Sequence, residues 1–158
     1  MIVDATTRRR AEAEFDFGYT ASMEALPYEE IEHTADLAMR VRGRDMAQLL
    51  QNAAEGMLML SAVELKPEEG RRISLELQAP DREQLLVVWL EELLYGMEMR
   101  SVAYQGFDIE VHDGPRLAAS MHEVELDSIG KHIKAVTFHD LQIVATLEGL
   151  EVTIVFDV

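Results

Sequence analysis

The stretch Leu150-Glu-Val-Thr-Ile-Val-Phe156, followed directly by Asp157-Val158, decides how this chain folds. Leu150, Val152, Ile154 and Phe156 alternate with Glu151 and Thr153. That period of two belongs to a β-strand with one covered face and one wet face. A strand ordered to its end holds the Asp157 side chain beside the terminal carboxylate of Val158. Two carboxylates that close repel unless a cation or a donor sits between them. Hard divalent ions such as Ca²⁺ and Mg²⁺ take oxygen ligands of this kind. From these residues alone two readings stay open: a cation site, or a solvated last strand with two free charges.

Working outward, the same period recurs in Leu37, Met39, Val41 up to Gly43, and in Ile73, Leu75, Leu77, Ala79 up to Pro80. Phe107, Ile109, Val111 and Leu117, Ala119, Met121 flank Asp113-Gly114, a hairpin signal. Ile133, Ala135, Thr137 and Leu141, Ile143, Ala145 follow, and Glu148-Gly149 turns the chain into its final strand. Two segments carry helical spacing instead. Met46, Leu49, Leu50, Ala53, Met57 and Leu58 predict a helix over 45–60. Leu85, Leu86, Trp89, Leu90, Leu93 and Leu94 predict another over 82–97. Asp81 and Gln84 have the spacing of a capping box at its start. Alternating strands with two amphipathic helices give an α+β fold of two layers, the helices packed on a mainly antiparallel sheet. The methionines fall mostly on the inward faces, where they fill core.

With 158 residues the chain is long enough for one domain with its own core. Residues 1–25, with Arg8-Arg9-Arg10 and no sustained period, read as a mobile arm, and 26–158 as the folded domain. No apolar run approaches the length that spans a membrane. The absence of cysteine excludes disulfides, thiolate metal sites and cysteine nucleophiles. Met-Ile-Val-Asp lacks the basic-then-apolar order of a secretion signal, so the cytoplasm is the expected compartment. A net charge of −16 repels phosphate, which argues against direct nucleic-acid binding and favours cations or basic protein partners.

Three clusters hold groups able to do chemistry. Glu32-His33-Thr34-Ala35-Asp36 precedes a strand, where an imidazole and a carboxylate three apart either converge or serve as turn formers. Thr137-Phe138-His139-Asp140 interrupts two strands; in extended chain His139 and Asp140 face opposite ways, and a bend there brings them together. The third is Asp157-Val158. Glu91 and Glu92 point to different faces of a helix and read as solvated; His112, His122 and His132 fall in hairpin or loop positions and read the same way. Phosphate-cradling glycine loops, a nucleophile elbow and a His-Glu-x-x-His helix are all missing.

Four segments together resemble the archease family: Tyr28-Glu-Glu-Ile-Glu-His-Thr-Ala-Asp-Leu37, Trp89-Leu-Glu-Glu-Leu-Leu-Tyr95, Lys134-Ala-Val-Thr-Phe-His-Asp-Leu141 and Val155-Phe-Asp-Val158. The resemblance runs from about Tyr28 to the end. It implies a non-enzymatic accessory protein in tRNA splicing, whose partner is the RNA-splicing ligase. That enzyme attaches GMP to its own histidine, and archeases promote this guanylylation and repeated turnover. It further implies a divalent-metal site (Ca²⁺, Mg²⁺ or Mn²⁺) held by Asp36, Asp157 and Val158. His33 and His139 would orient those carboxylates, with Asp140 and Lys134 beside them or facing the partner. Phe138 stands where the family usually has Tyr. Two rivals remain: a chaperone-like modulator of a tRNA-modifying methyltransferase, and a metal-dependent phosphoesterase with His33 or His139 as base. Against the second, too few cations lie near these clusters to hold a phosphate, and only Lys134 is close in sequence.

Overall fold

The computed structural model describes residues 25–33 and 36–158. The Arg8-Arg9-Arg10 segment and the expected arm up to residue 24 lie outside these, as do Thr34 and Ala35. In chain order the elements are β1 (Tyr28–Ile31), β2 (Leu37–Gly43), α1 (Met46–Leu60), β3 (Val63–Leu65), β4 (Arg71–Gln78) and α2 (Arg82–Arg100). They continue with β5 (Val102–His112), β6 (Arg116–Ile129), β7 (Ala135–Val136), β8 (Val144–Thr146) and β9 (Gly149–Asp157). The α+β class holds, with two helices and antiparallel pairing in every strand pair among the described residues. The strands divide between two sheets, where alternation alone suggests a single surface. One has the order β1-β2-β9-β7, with β8 also on β9; in the other, β6 is flanked by β3, β4 and β5.

The opening stretch is the axis of the first sheet. Strand β2 pairs over its whole length with β9, Leu37 opposite Phe156 and Gly43 opposite Leu150. Val152, Ile154 and Phe156 face the core, as the alternation predicts. Val155 is buried too, so near its end the strand is covered on both faces. Burying a side chain of the size of Phe156 supplies about 1.5–3 kcal/mol, which holds the strand in register to its last residues.

Both helices start where their caps dictate. Asp45 accepts from the Gln48 N–H at 2.8 Å, and Asp81 accepts from the Gln84 N–H at 2.8 Å. The Gln84 amide donates back to the Asp81 carboxylate at 2.7 Å, a variant of the box in which the side chain replaces the backbone target. Trp89, fully buried, donates its indole N–H to the Leu50 carbonyl at 2.9 Å and lies edge-on to Phe107. This bond joins α2 to α1 through the centre of a hydrophobic cluster that includes residues of both sheets. Close approach is possible because glycines sit at the crossings. A Cβ on Gly56 would meet the Met39 sulfur at 2.4 Å, and one on Gly96 would meet the Tyr104 hydroxyl at 1.9 Å. Met39, Met46, Met57, Met97 and Met121 are core, while Met59 and Met99 are exposed.

Periodicity missed β1 and β3, which are too short to alternate visibly. The predicted strands around Ile133 and Leu141 shrink to the short β7 and β8. His122 lies within β6 instead of a loop and is half-buried.

Candidate functional site

The β2/β9 register brings Asp36 and Asp157 to the edge of the first sheet where β2 begins and β9 ends. Leu37 pairs with Phe156, so extending the antiparallel register by one residue sets Asp36 across from Asp157. Directly opposed residues on paired strands share a face with Cβ atoms about 4.5–5.5 Å apart. Strand β7 flanks the other side of β9, with Ala135 opposite Asp157. The Lys134 N–H donates to the Asp157 carbonyl at 2.8 Å, and the Thr137 N–H to the Val155 carbonyl at 2.9 Å. The end of β9 is therefore held from both sides while Asp157 and Val158 remain exposed.

The two histidine clusters meet at this same end. The His33 and His139 rings lie edge-on, their centroids 6.2 Å apart. His33 Nδ1 stands 3.6 Å from the Asp36 carboxylate. The chain does bend at Asp140, whose φ is 49°, a left-handed conformation that Asp tolerates. The bend brings His139 Nε2 to 3.2 Å from the Asp140 carboxylate. Both side chains are largely exposed, so the pair contributes little to stability. Phe138, at the tip of the turn, is 59 % exposed, uncommon for a large aromatic.

Among the described residues, no group of three or more His, Cys, Asp or Glu side chains converges as a ready-made ion cage. The donors that the β2/β9 register directs to one end of the sheet are the carboxylates of Asp36 and Asp157 and the oxygens of Val158. They are hard, accessible and placed at one strand end, a set whose chemistry suits Ca²⁺, Mg²⁺ or Mn²⁺. Glu91 departs from the sequence reading. Far from being solvated, it is half-buried and its Oε1 accepts from the Val136 N–H at 2.8 Å. Glu83 does the same for the Ile143 N–H at 3.1 Å. No periodic or motif signal announces either bond, since each spans more than forty residues of chain. His132, expected in solvent, contacts Glu98 at 2.9 Å while remaining exposed.

Residues 28–158 match the model of the Archease protein family. The chain belongs to the archease family. An archease of Methanosarcina barkeri is 29% identical over 150 residues, covering 87% of this chain and 99% of that one. An archease of Methanosarcina acetivorans is 30% identical over 146 residues, covering 83% and 95%. Among solved structures, a Thermotoga maritima archease described as a possible chaperone aligns with a TM-score of 0.63. It is 21% identical, covers 82% of this chain and 96% of that one, and bears on the fold alone. The solution structure of protein 1598 from Methanobacterium thermoautotrophicum aligns at 0.59 with 26% identity, covering 84% and 99%. Among the described residues, no helix of this archease-family chain is long and apolar enough to cross a membrane.

Proposed function

We propose that this chain is an accessory protein, not a stand-alone enzyme, that promotes guanylylation and repeated turnover of an RNA-splicing ligase. The single observation that carries the reading is the β2/β9 register, which sets Asp36 and Asp157 at neighbouring strand ends next to the exposed Val158. Family membership supports the same role.

Asp36, Asp157 and the carboxylate or main chain of Val158 would hold the divalent ion, which when bound neutralises negative charge as a triphosphate meets a nucleophile. The chain's own residues do the rest. The paired strands pre-set the carboxylates, so their mutual repulsion is overcome during folding and not at the moment of docking. His33, 3.6 Å from Asp36, restricts that carboxylate, and the His139 ring packs edge-on against His33. Phe138 offers an apolar anchor at the rim, the kind of exposed aromatic on which protein partners seat.

The test is a ligation assay with the cognate ligase at limiting concentration and GTP, with and without this protein. Wild-type protein should raise both the guanylylated fraction and the number of turnovers. Asp36→Ala and Asp157→Ala should remove the effect while the far-ultraviolet circular dichroism stays unchanged. Full stimulation by both variants would overturn the proposal. Hydrolysis of simple phosphoesters by the protein alone would point to a hydrolase, and a methyltransferase as the dominant captured partner would point to a modulator of that enzyme.

A further inference from the structure

Segment 132–143 runs alongside α2 in the opposite direction and is tacked to it by acidic side chains in matching order. Glu98 meets His132, Glu91 meets Val136 and Glu83 meets Ile143. The second and third contacts differ in kind from the first, because they satisfy backbone. Thr137 donates to Val155, so Val136, paired with Phe156, occupies a non-hydrogen-bonded site of the ladder. The N–H at such a site faces away from the partner strand. β7 is an edge strand, and in place of another strand Glu91 supplies the acceptor. Ile143 lies just before β8; it is buried, and its N–H is taken by Glu83. A buried N–H without an acceptor is costly, so each bond fixes its backbone against the helix.

Between these two anchors lies the turn that carries Phe138, His139 and Asp140. On its own the turn has weak internal support, a Leu141-to-Phe138 backbone bond at 3.2 Å and a His139-to-Thr137 side-chain bond at 3.3 Å. Its placement against His33 therefore depends on what holds its two ends. We infer that Glu83 and Glu91 are positioning residues: from α2 they clamp both ends of the 137–142 turn and so set His139 against His33 beside Asp36 and Asp157. The consequence for ligase stimulation rests on the function proposed above; the placement of the turn does not.

The two carboxylates act here as acceptors, so charge is dispensable and the acceptor oxygen is not. That separates the variants. Glu83→Gln and Glu91→Gln keep an acceptor; Glu83→Ala and Glu91→Ala remove it. In the wild-type protein the His33 and His139 ring protons should show a nuclear Overhauser contact, and the Val136 and Ile143 amides should exchange slowly with solvent. The Ala variants, singly and together, should lose the ring contact and speed exchange at the matching amide, with the α2 amides still protected. The Gln variants should preserve both signals. Stimulation of the ligase should fall about 10–100-fold in the double Ala variant, the range seen when groups supporting a metal site are removed, and return with Gln. Should the double variant unfold, single Glu91→Ala gives the same ring readout. A ring contact that survives in the Ala variants, or is lost equally in the Gln variants, overturns the inference. Wild-type protein that fails to stimulate the ligase would sink the functional proposal and leave the ring contact to decide the clamp.

Discussion

Asp36 and Asp157 come from opposite ends of the folded domain, and each is ordinary by itself. What makes them a candidate site is that Leu37 and Phe156, their neighbours, are both core residues paired across two strands. A ligand that binds only the folded state stabilises it, by about 2.7 kcal/mol at a hundred times its dissociation constant. Millimolar Ca²⁺ or Mn²⁺ should therefore raise the melting temperature of the wild-type protein, and a chelator should reverse the rise. Asp36→Asn and Asp157→Asn should melt at the same temperature with and without the ion. Scanning calorimetry of the three proteins is sufficient, and an ion-dependent rise that persists in both variants would place the ion elsewhere. At this scale His33, His139 and the terminal pair were legible in the sequence as chemistry-bearing groups, and the bend at Asp140 was legible as a condition. Glu91 was not, because its partner is a backbone N–H that has no signature in residue type.

Helix α2 lies against β5 through Gly96, over which the Tyr104 hydroxyl rests. A methyl group there would sit 1.9 Å from that oxygen, so Gly96→Ala must push the ring or the helix aside. Overpacking of this kind costs about 1–3 kcal/mol, larger than the gain in helix propensity from replacing glycine. Chemical denaturation should show the midpoint falling, and an unchanged or raised midpoint would mean that the helix shifts freely. The same contact sets a pH dependence. Burial raises the Tyr104 pKa above the ordinary tyrosine value, Arg100 opposes, and Glu123 and Glu92 add to the rise. The hydroxyl also accepts from Arg100 at 2.7 Å. A group whose folded pKa lies above its unfolded one contributes stability below the unfolded value, about 10 for tyrosine. That contribution is lost as pH climbs through the folded pKa. Ultraviolet titration should thus resolve a phenol ionising above the ordinary tyrosine range, with stability declining over the same alkaline window. In Tyr104→Phe that decline should shrink. The Asp81 cap and the extent of both helices were readable from the Asp81/Gln84 spacing and the apolar period, since these signals act within one or two turns; the cap at Asp45 was read as the first helical residue. Strands β1, β3, β7 and β8 were not, or only in part: at two to four residues they owe their existence to the strand beside them.

For the molecule as a whole, a charge of −16 is a statement about encounters. Long-range attraction to a basic partner is screened over about 8 Å at physiological salt and acts mainly on the association rate. Raising salt from low to physiological concentration should slow association with the proposed ligase partner while leaving dissociation nearly unchanged, measurable by surface plasmon resonance. A dissociation rate that carries the whole salt effect would show that the charges act in the bound interface.

The sequence by itself determined the class of fold, both helices, the strand face that β9 buries, and the identity of the groups at its end. These follow from periodicity and capping, which are written locally in residue order. Only the tertiary structure decided that the strands part into two sheets, that the His33 and His139 rings meet, and that Glu83 and Glu91 accept from the Ile143 and Val136 N–H groups. Those outcomes depend on which surfaces exclude water together and which backbone donors are left over once the strands have paired. Neither quantity exists until residues far apart in the chain have been brought into contact.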